Sequence, residues 1–95
     1  MFWCKTFKAK GQFVVAICDE DLLGKNIGNE FKITVGKNFY QGELIDENKA
    51  LEVMKKANIC NLLGKNIVEL ALKNKFIMKE NIIFIGDVPH AQFIQ

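Results

Sequence analysis

The sequence predicts an α+β fold with a mainly antiparallel sheet, two helices in the second half and a C-terminal strand. Three observations carry this expectation. The first third holds two β-rich runs around a short Gly-containing turn, Phe2 to Lys8 and Gln12 to Cys18. The second half holds two stretches whose apolar residues repeat at helical spacing. The order is then strands, helices and a final strand, which favours helices gathered on one face of a sheet.

The first run, Phe2 to Lys8, is rich in aromatic residues, and Lys10-Gly11 supplies the turn. The second, with Phe13, Val14, Val15 and Ile17, is apolar on both faces and so belongs in the middle of the sheet. Asp19-Glu20-Asp21-Leu22-Leu23-Gly24 reads as a single helical turn capped by an acid and closed by Gly24. Phe31 to Val35 alternates with period two, as a half-buried strand does. After the Gly36-Lys37-Asn38 turn, Phe39 to Ile45 reads as a further extended segment interrupted at Gly42.

From Asp46, apolar residues at Ala50, Val53, Met54 and Ala57 mark one face of a helix with Asp46 as its N-cap. Asn58 to Gly64 reads as a connection. Asn66-Ile67-Val68-Glu69 has the form of a capping box, opening a helix that ends near Asn74. Ile82 to Ile85 reads as a short buried strand, broken by Gly86-Asp87-Val88-Pro89 before a Phe93-Ile94 tail. The hexapeptide Leu-Leu-Gly-Lys-Asn-Ile occurs at 22–27 and again at 62–67. Unmatched flanks argue against a duplicated domain, and two Leu-Leu-Gly helix ends are the simpler expectation.

Composition narrows the function classes. Ninety-five residues, 10.8 kDa, form one domain spanning residues 1–95. Thirteen lysines against eleven acids give +2, too mild an excess to declare nucleic-acid binding by itself. The chain has no serine and no arginine, which excludes a Ser-His-Asp triad and guanidinium clamps on phosphate. The single histidine and three cysteines in no C-x-x-C pair exclude a disulfide framework or a four-cysteine zinc site. Reduced thiols in the cytoplasm are expected. No run reaches the length of a membrane span, and the N-terminus does not read as a signal peptide, so no membrane partner is expected. No metal and no cofactor are expected either, since there is no P-loop, G-x-G-x-x-G or H-E-x-x-H.

Four groups of residues could carry chemistry. Cys18, Asp19, Glu20 and Asp21 with His90 could pair a nucleophile with a base, or bind a divalent metal. Against this, carboxylates beside a thiol raise its pKa, and Cys18 ends an apolar strand where a small core residue is ordinary. His90 and Gln92 lie two apart, on one side of any extended segment, behind the stiffening Pro89. Their plain alternative is an edge strand whose histidine bonds a carbonyl. In Lys37 to Gly42, Tyr40 is the better surface candidate for stacking and Phe39 the better core residue. Lys49, Lys55 and Lys56, with Lys65, Lys73, Lys75 and Lys79, could touch a phosphate backbone, although lysines commonly coat the solvated side of helices.

Four phrases, in order, carry a resemblance. They are Ala16 to Lys25, Phe39-Tyr40-Gln41-Gly42, Ala57 to Gly64 and Val88-Pro89-His90-Ala91-Gln92. Together they resemble a family of small archaeal proteins catalogued as domain of unknown function 424, over nearly the whole chain. The resemblance implies an archaeal cytoplasmic protein consisting of little else, and no activity. It brings forward Cys18, Asp19, Gly24, Phe39, Tyr40, Gly42, Asn61, Gly64, Pro89, His90 and Gln92 as motif positions. The expected function is a non-enzymatic binding module whose partner is RNA or a ribonucleoprotein of the translation machinery. The contact residues expected are Tyr40, Asn61, His90, Gln92, Lys55 and Lys73. The alternatives are a protein–protein adaptor or homodimer using an exposed edge strand or the Phe93-Ile94 tail, and a small hydrolase or metal enzyme built on Cys18, Asp19 and His90.

Overall fold

A computed structural model describes residues 1–95. The chain forms β1 (Phe2–Ala9), β2 (Gln12–Asp19), β3 (Asn26–Ile27), β4 (Ile33–Thr34), α1 (Lys37–Tyr40), β5 (Glu43–Ile45), α2 (Glu47–Lys56), β6 (Ile59–Leu63), α3 (Lys65–Lys73), β7 (Ile83–Ile85) and β8 (Val88–Ile94), with short 3-10 turns at Glu20–Leu22 and Lys79–Asn81. The fold is α+β, and six strands make one sheet in the order β5-β1-β2-β6-β8-β7. Every neighbouring pair is antiparallel except β2 with β6, which are parallel and joined by the crossover that contains α2. No helix is long and apolar enough to cross a membrane.

The hairpin forms where two left-handed residues, Lys10 (φ 53°) and Gly11 (φ 79°), supply the turn whose twist suits flanking strands. Alternation along the strands then divides the side chains between two faces. On one face Phe2, Cys4, Val15, Ile17, Cys60, Leu62 and Ala91 pack under Ala50 and Met54 of α2 and Ile67, Val68 and Ala71 of α3. On the other, Ala16, Cys18 and Leu63 carry a smaller cluster with Ile27, Val35 and Tyr40, delivered by the long excursion between β2 and α2. That excursion covers only part of its face. The accessible surface is 6092 Å², above the about 5,500 Å² expected for a folded chain of this mass.

Several elements differ from the sequence expectation. Asn58 to Gly64 is not a connection but the central strand β6, between β2 and β8. Ile59 and Leu63 share the partly open face with Asn61, so the run shows no clean alternation of apolar and polar residues, and Asn58 and Gly64 frame it with turn-like residues. Of the segment Phe39 to Ile45, expected as extended, only Glu43–Ile45 is a strand, while Phe39 and Tyr40 join Lys37 and Asn38 in a helical turn closed by Tyr40 N–H to Gly36 O (3.1 Å) and Gln41 N–H to Lys37 O (2.9 Å). A helical turn lets the adjacent Phe39 and Tyr40 both reach the sheet, whereas a strand would send them to opposite sides. The segment Phe31 to Val35 contributes only two residues to a two-stranded ribbon with Asn26–Ile27. Of its apolar residues Val35 is buried, while Phe31 and Ile33 are exposed. Ile83–Ile85 is a strand but an edge, with Ile83 and Phe84 largely open to solvent.

The two copies of the hexapeptide take unrelated structures. At 22–27 it leaves a 3-10 turn and enters the ribbon; at 62–67 it ends β6 and begins α3. The helix-end expectation fails for the second copy because Leu62 and Leu63 are drawn into the sheet between Ile17-Cys18 and His90-Ala91.

Candidate functional site

Registered strand partners point their side chains to the same side, so the pairing places the functional residues in rows. One row reads Leu44, Trp3, Cys18, Leu63, His90, Ile83 from β5 to β7. The next, on the same face, reads Lys5, Ala16, Asn61, Gln92. A third reads Phe7, Val14, Ile59, Ile94. All of this lies opposite α2 and α3. Asn61 and Gln92 are direct cross-strand neighbours, and His90 stands one pleat above Gln92 on the same strand. Asn61 and His90 are half-buried and Gln92 is exposed.

The aromatic pair beside them reverses the expected roles. Phe39 is 41% exposed and Tyr40 only 7%. Tyr40 packs into the cluster over Ala16 and Cys18, and burial pushes its phenol up to about 12. Phe39 stacks on Phe7 at 5.7 Å between centroids and meets the Tyr40 ring edge-on at 4.9 Å. Lys5 extends over Phe7, with its Nζ 5.5 Å from the ring, and donates to Asn38 O at 2.7 Å. The open face therefore offers a ledge of Phe7 and Phe39 on one side and a polar group of Asn61, Gln92 and His90 on the other. Three strand spacings, roughly 15 Å, separate Phe7 from Ile94. The sequence offers Phe39 as a core residue and a motif position rather than a surface ring, and it does not single out Phe7 or Lys5, for which the period-two spacing Trp3-Lys5-Phe7 is the available signal.

The nucleophile–base constellation is not assembled. Cys18 and His90 share a row, but Leu63 stands between them and two strand spacings put their backbones roughly 10 Å apart. Cys18 is fully buried, and burial, with Asp19 and Asp21 adding to it, pushes its thiol up to about 12. Cys60 is driven up to about 12 and Cys4 to about 11, chiefly by burial. Burial also lowers the His90 imidazole below its ordinary value. No three His, Cys, Asp or Glu side chains converge as metal ligands.

Asp19 is a structural residue. Its carboxylate accepts Asn66 N–H on Oδ2 at 2.9 Å and Ile67 N–H on Oδ1 at 2.8 Å, the second and third amides of α3. The helix N-cap is Gly64 rather than Asn66, and the capping oxygens come from the end of β2, 47 and 48 residues away. Gly64 adopts φ 122°, and a Cβ there would collide with the Asp19 carboxylate. Burial raises the Asp19 carboxyl, and the two amide bonds oppose that rise.

Lys55 and Lys73 lie exposed on α2 and α3, across the sheet from Asn61 and Gln92. Their neighbourhood is mixed in charge. Glu52 lies 3.7 Å from Lys49 and 3.5 Å from Lys56, and Lys73 shares a groove with Glu47 and Glu69.

These features define a small α+β protein with two helices sealing one face of a mixed sheet and a partly open polar and aromatic opposite face. The family described as Protein of unknown function (DUF424) matches residues 7–95, and the chain belongs to it. Among solved structures, an uncharacterized conserved protein from Methanopyrus kandleri is similar, with TM-score 0.80 and 22% identity, over 97% of this chain and 89% of that one. This likeness bears on the fold. No curated protein matches the chain.

Proposed function

We propose that this protein is a binding module for single-stranded RNA, working as part of a ribonucleoprotein such as the translation machinery. The observation that supports this most is that Asn61, His90 and Gln92 and the Phe7–Phe39 ledge are displayed on the same face of one sheet. Amide side chains both donate and accept, as base edges require. A half-exposed aromatic ring accepts any base by stacking, and a sheet face displays several such contacts at once. Lys5, at the rim of the ledge, is placed for a phosphate. Lys55 and Lys73 lie outside this face and serve no base-reading role in it.

The test is fluorescence anisotropy with labelled single-stranded oligoribonucleotides of mixed sequence and with the matching duplex. Binding should weaken steeply as salt rises and should favour the single strand. Loss of stacking is worth about 1–3 kcal/mol per base, so Phe39→Ala should weaken binding by roughly fivefold to 150-fold. Asn61→Ala and Gln92→Ala should weaken it too, while Lys55→Glu on the opposite face should have little effect. Affinity that is flat across salt and indifferent to Phe39, Asn61 and Gln92 refutes the reading.

A further inference from the structure

The edge strand β7 presents an unprotected apolar sequence, Ile83-Phe84-Ile85, with Ile83 59% and Phe84 67% exposed. Sheet edges are ordinarily guarded by a charge, a proline, a bulge or a covering loop. The opposite edge has such a guard in Glu43 of β5. The edge at β7 has none within the strand.

The neighbouring strand fixes which backbone groups of β7 are free. Pro89 has no N–H, and its carbonyl accepts Gly64 N–H on the β6 side at 2.9 Å. Phe84 faces Pro89 in the register, while Ile83 faces His90 and Ile85 faces Val88. Antiparallel ladders alternate, so Ile83 and Ile85 bond inward to β8, and the N–H and C=O of Phe84 both point outward from the sheet. Phe31, 85% exposed, flanks Phe84 across a groove of about 470 Å³.

We propose that β7 is a self-association edge, pairing antiparallel with β7 of a second copy of this chain about a two-fold axis at Phe84. This register is self-complementary: Phe84 meets its own mate and the two exchange both backbone hydrogen bonds, as a hydrogen-bonded antiparallel pair does. Ile83 of one copy then stands opposite Ile85 of the other. Glu30, Glu80 and Asp87 outnumber Lys32 and Lys79 around this edge, which therefore lacks the positive excess that a phosphate backbone needs and favours protein over nucleic acid. The exposed side chains of Phe31, Ile83 and Phe84 offer on the order of 400 Å² of apolar surface per copy, divided between the two faces of the strand, so that pairing along the edge brings apolar groups together on both faces. That area is below the standard for tight complexes, so the dimer forms by mass action in a concentration-dependent way. This inference is independent of RNA binding.

Sedimentation equilibrium from about 10 μM to about 1 mM tests it directly. The average mass should rise from 10.8 kDa toward twice that value. Phe84→Lys and Ile83→Lys, both at exposed positions, should hold the chain at the monomer mass, while Ile94→Lys on the open face should leave the rise intact. Backbone exchange adds a readout that side-chain loss alone does not move: the Phe84 amide should exchange fast in dilute solution and slow at high concentration. A monomer throughout the range overturns the proposal, and so does a dimer that persists in Phe84→Lys.

Discussion

Removing the Asp19 carboxylate should cost this protein a large part of its stability, because it caps α3 from the end of β2. In Asp19→Ala both amides at the start of α3 lose their acceptor. The Ile67 N–H is buried, and an unpaired buried donor costs about 1–3 kcal/mol. The Asn66 N–H is partly buried; there water restores part of the bond, leaving about 1 kcal/mol for an ordinary cap. The negative charge at the helix N-terminus is worth about 0.5 kcal/mol more. Together the loss is about 3 kcal/mol, from a total of roughly 5–14 kcal/mol for a domain of this length. At about 4–8 °C per kcal/mol, the melting midpoint should fall by about 12–24 °C. Asp19→Asn keeps one oxygen acceptor and should lose about half as much. The assay is urea unfolding followed by circular dichroism, with the denaturant slope unchanged between variants. A loss below about 1 kcal/mol for Asp19→Ala would mean that water caps α3 as well as the carboxylate does, and the argument would be wrong.

The Gly64 contact gives a coupled prediction: Gly64→Ala should cost more in the parent than in Asp19→Ala, by at least about 1 kcal/mol, because only the parent has the collision while both keep the strained backbone. Equal costs in the two backgrounds would show that the collision relaxes away. With thiols raised to about 11 for Cys4 and about 12 for Cys18 and Cys60, the native protein should resist a thiol-specific reagent at pH 8 and expose three reactive thiols in urea. Fast labelling of any one in the native state contradicts that burial. His90 has a folded pKa below its unfolded one, so the unfolded chain takes the proton first and stability falls as pH drops below about 6.5. The difference in unfolding free energy between wild type and His90→Gln should therefore change between pH 7.5 and 5.5, in the direction that favours the variant in acid; a constant difference refutes it.

Local patterns made the hairpin and the helix after Asp46 readable, because turn residues, alternation and helical spacing all act within a few residues. Asp46 caps α2 as its position suggests, accepting Lys49 N–H at 2.9 Å. The residues that escaped are those whose state is set from far away. Ile59 to Leu63 looks like a connector until β2 and β8 lie on either side of it. Asn66 looks like a cap, yet the capping oxygens belong to Asp19. The same six residues at 22–27 and 62–67 form different structures because only the second copy lies between two strands. Of the site, the pairing of His90 with Gln92 on one side was readable from spacing alone, and Asn61 joined them only through the β6–β8 register. Tyr40 and Phe39 exchanged roles because a hydroxyl says little about which of two adjacent rings turns inward on a single helical turn.

The unequal coverage of the two sheet faces has a consequence for mutational scanning. Along β6 and β8 the side chains that face α2 and α3, such as Cys60, Leu62 and Ala91, have no space to change, whereas Ile59, Asn61, Gln92 and Ile94 face outward in part. Selection for folding alone should therefore yield a sawtooth in which every second position accepts most amino acids. A scan selected for function in the cell should flatten that sawtooth wherever the outward residues are used. The difference between the two profiles isolates the working surface without knowledge of its partner.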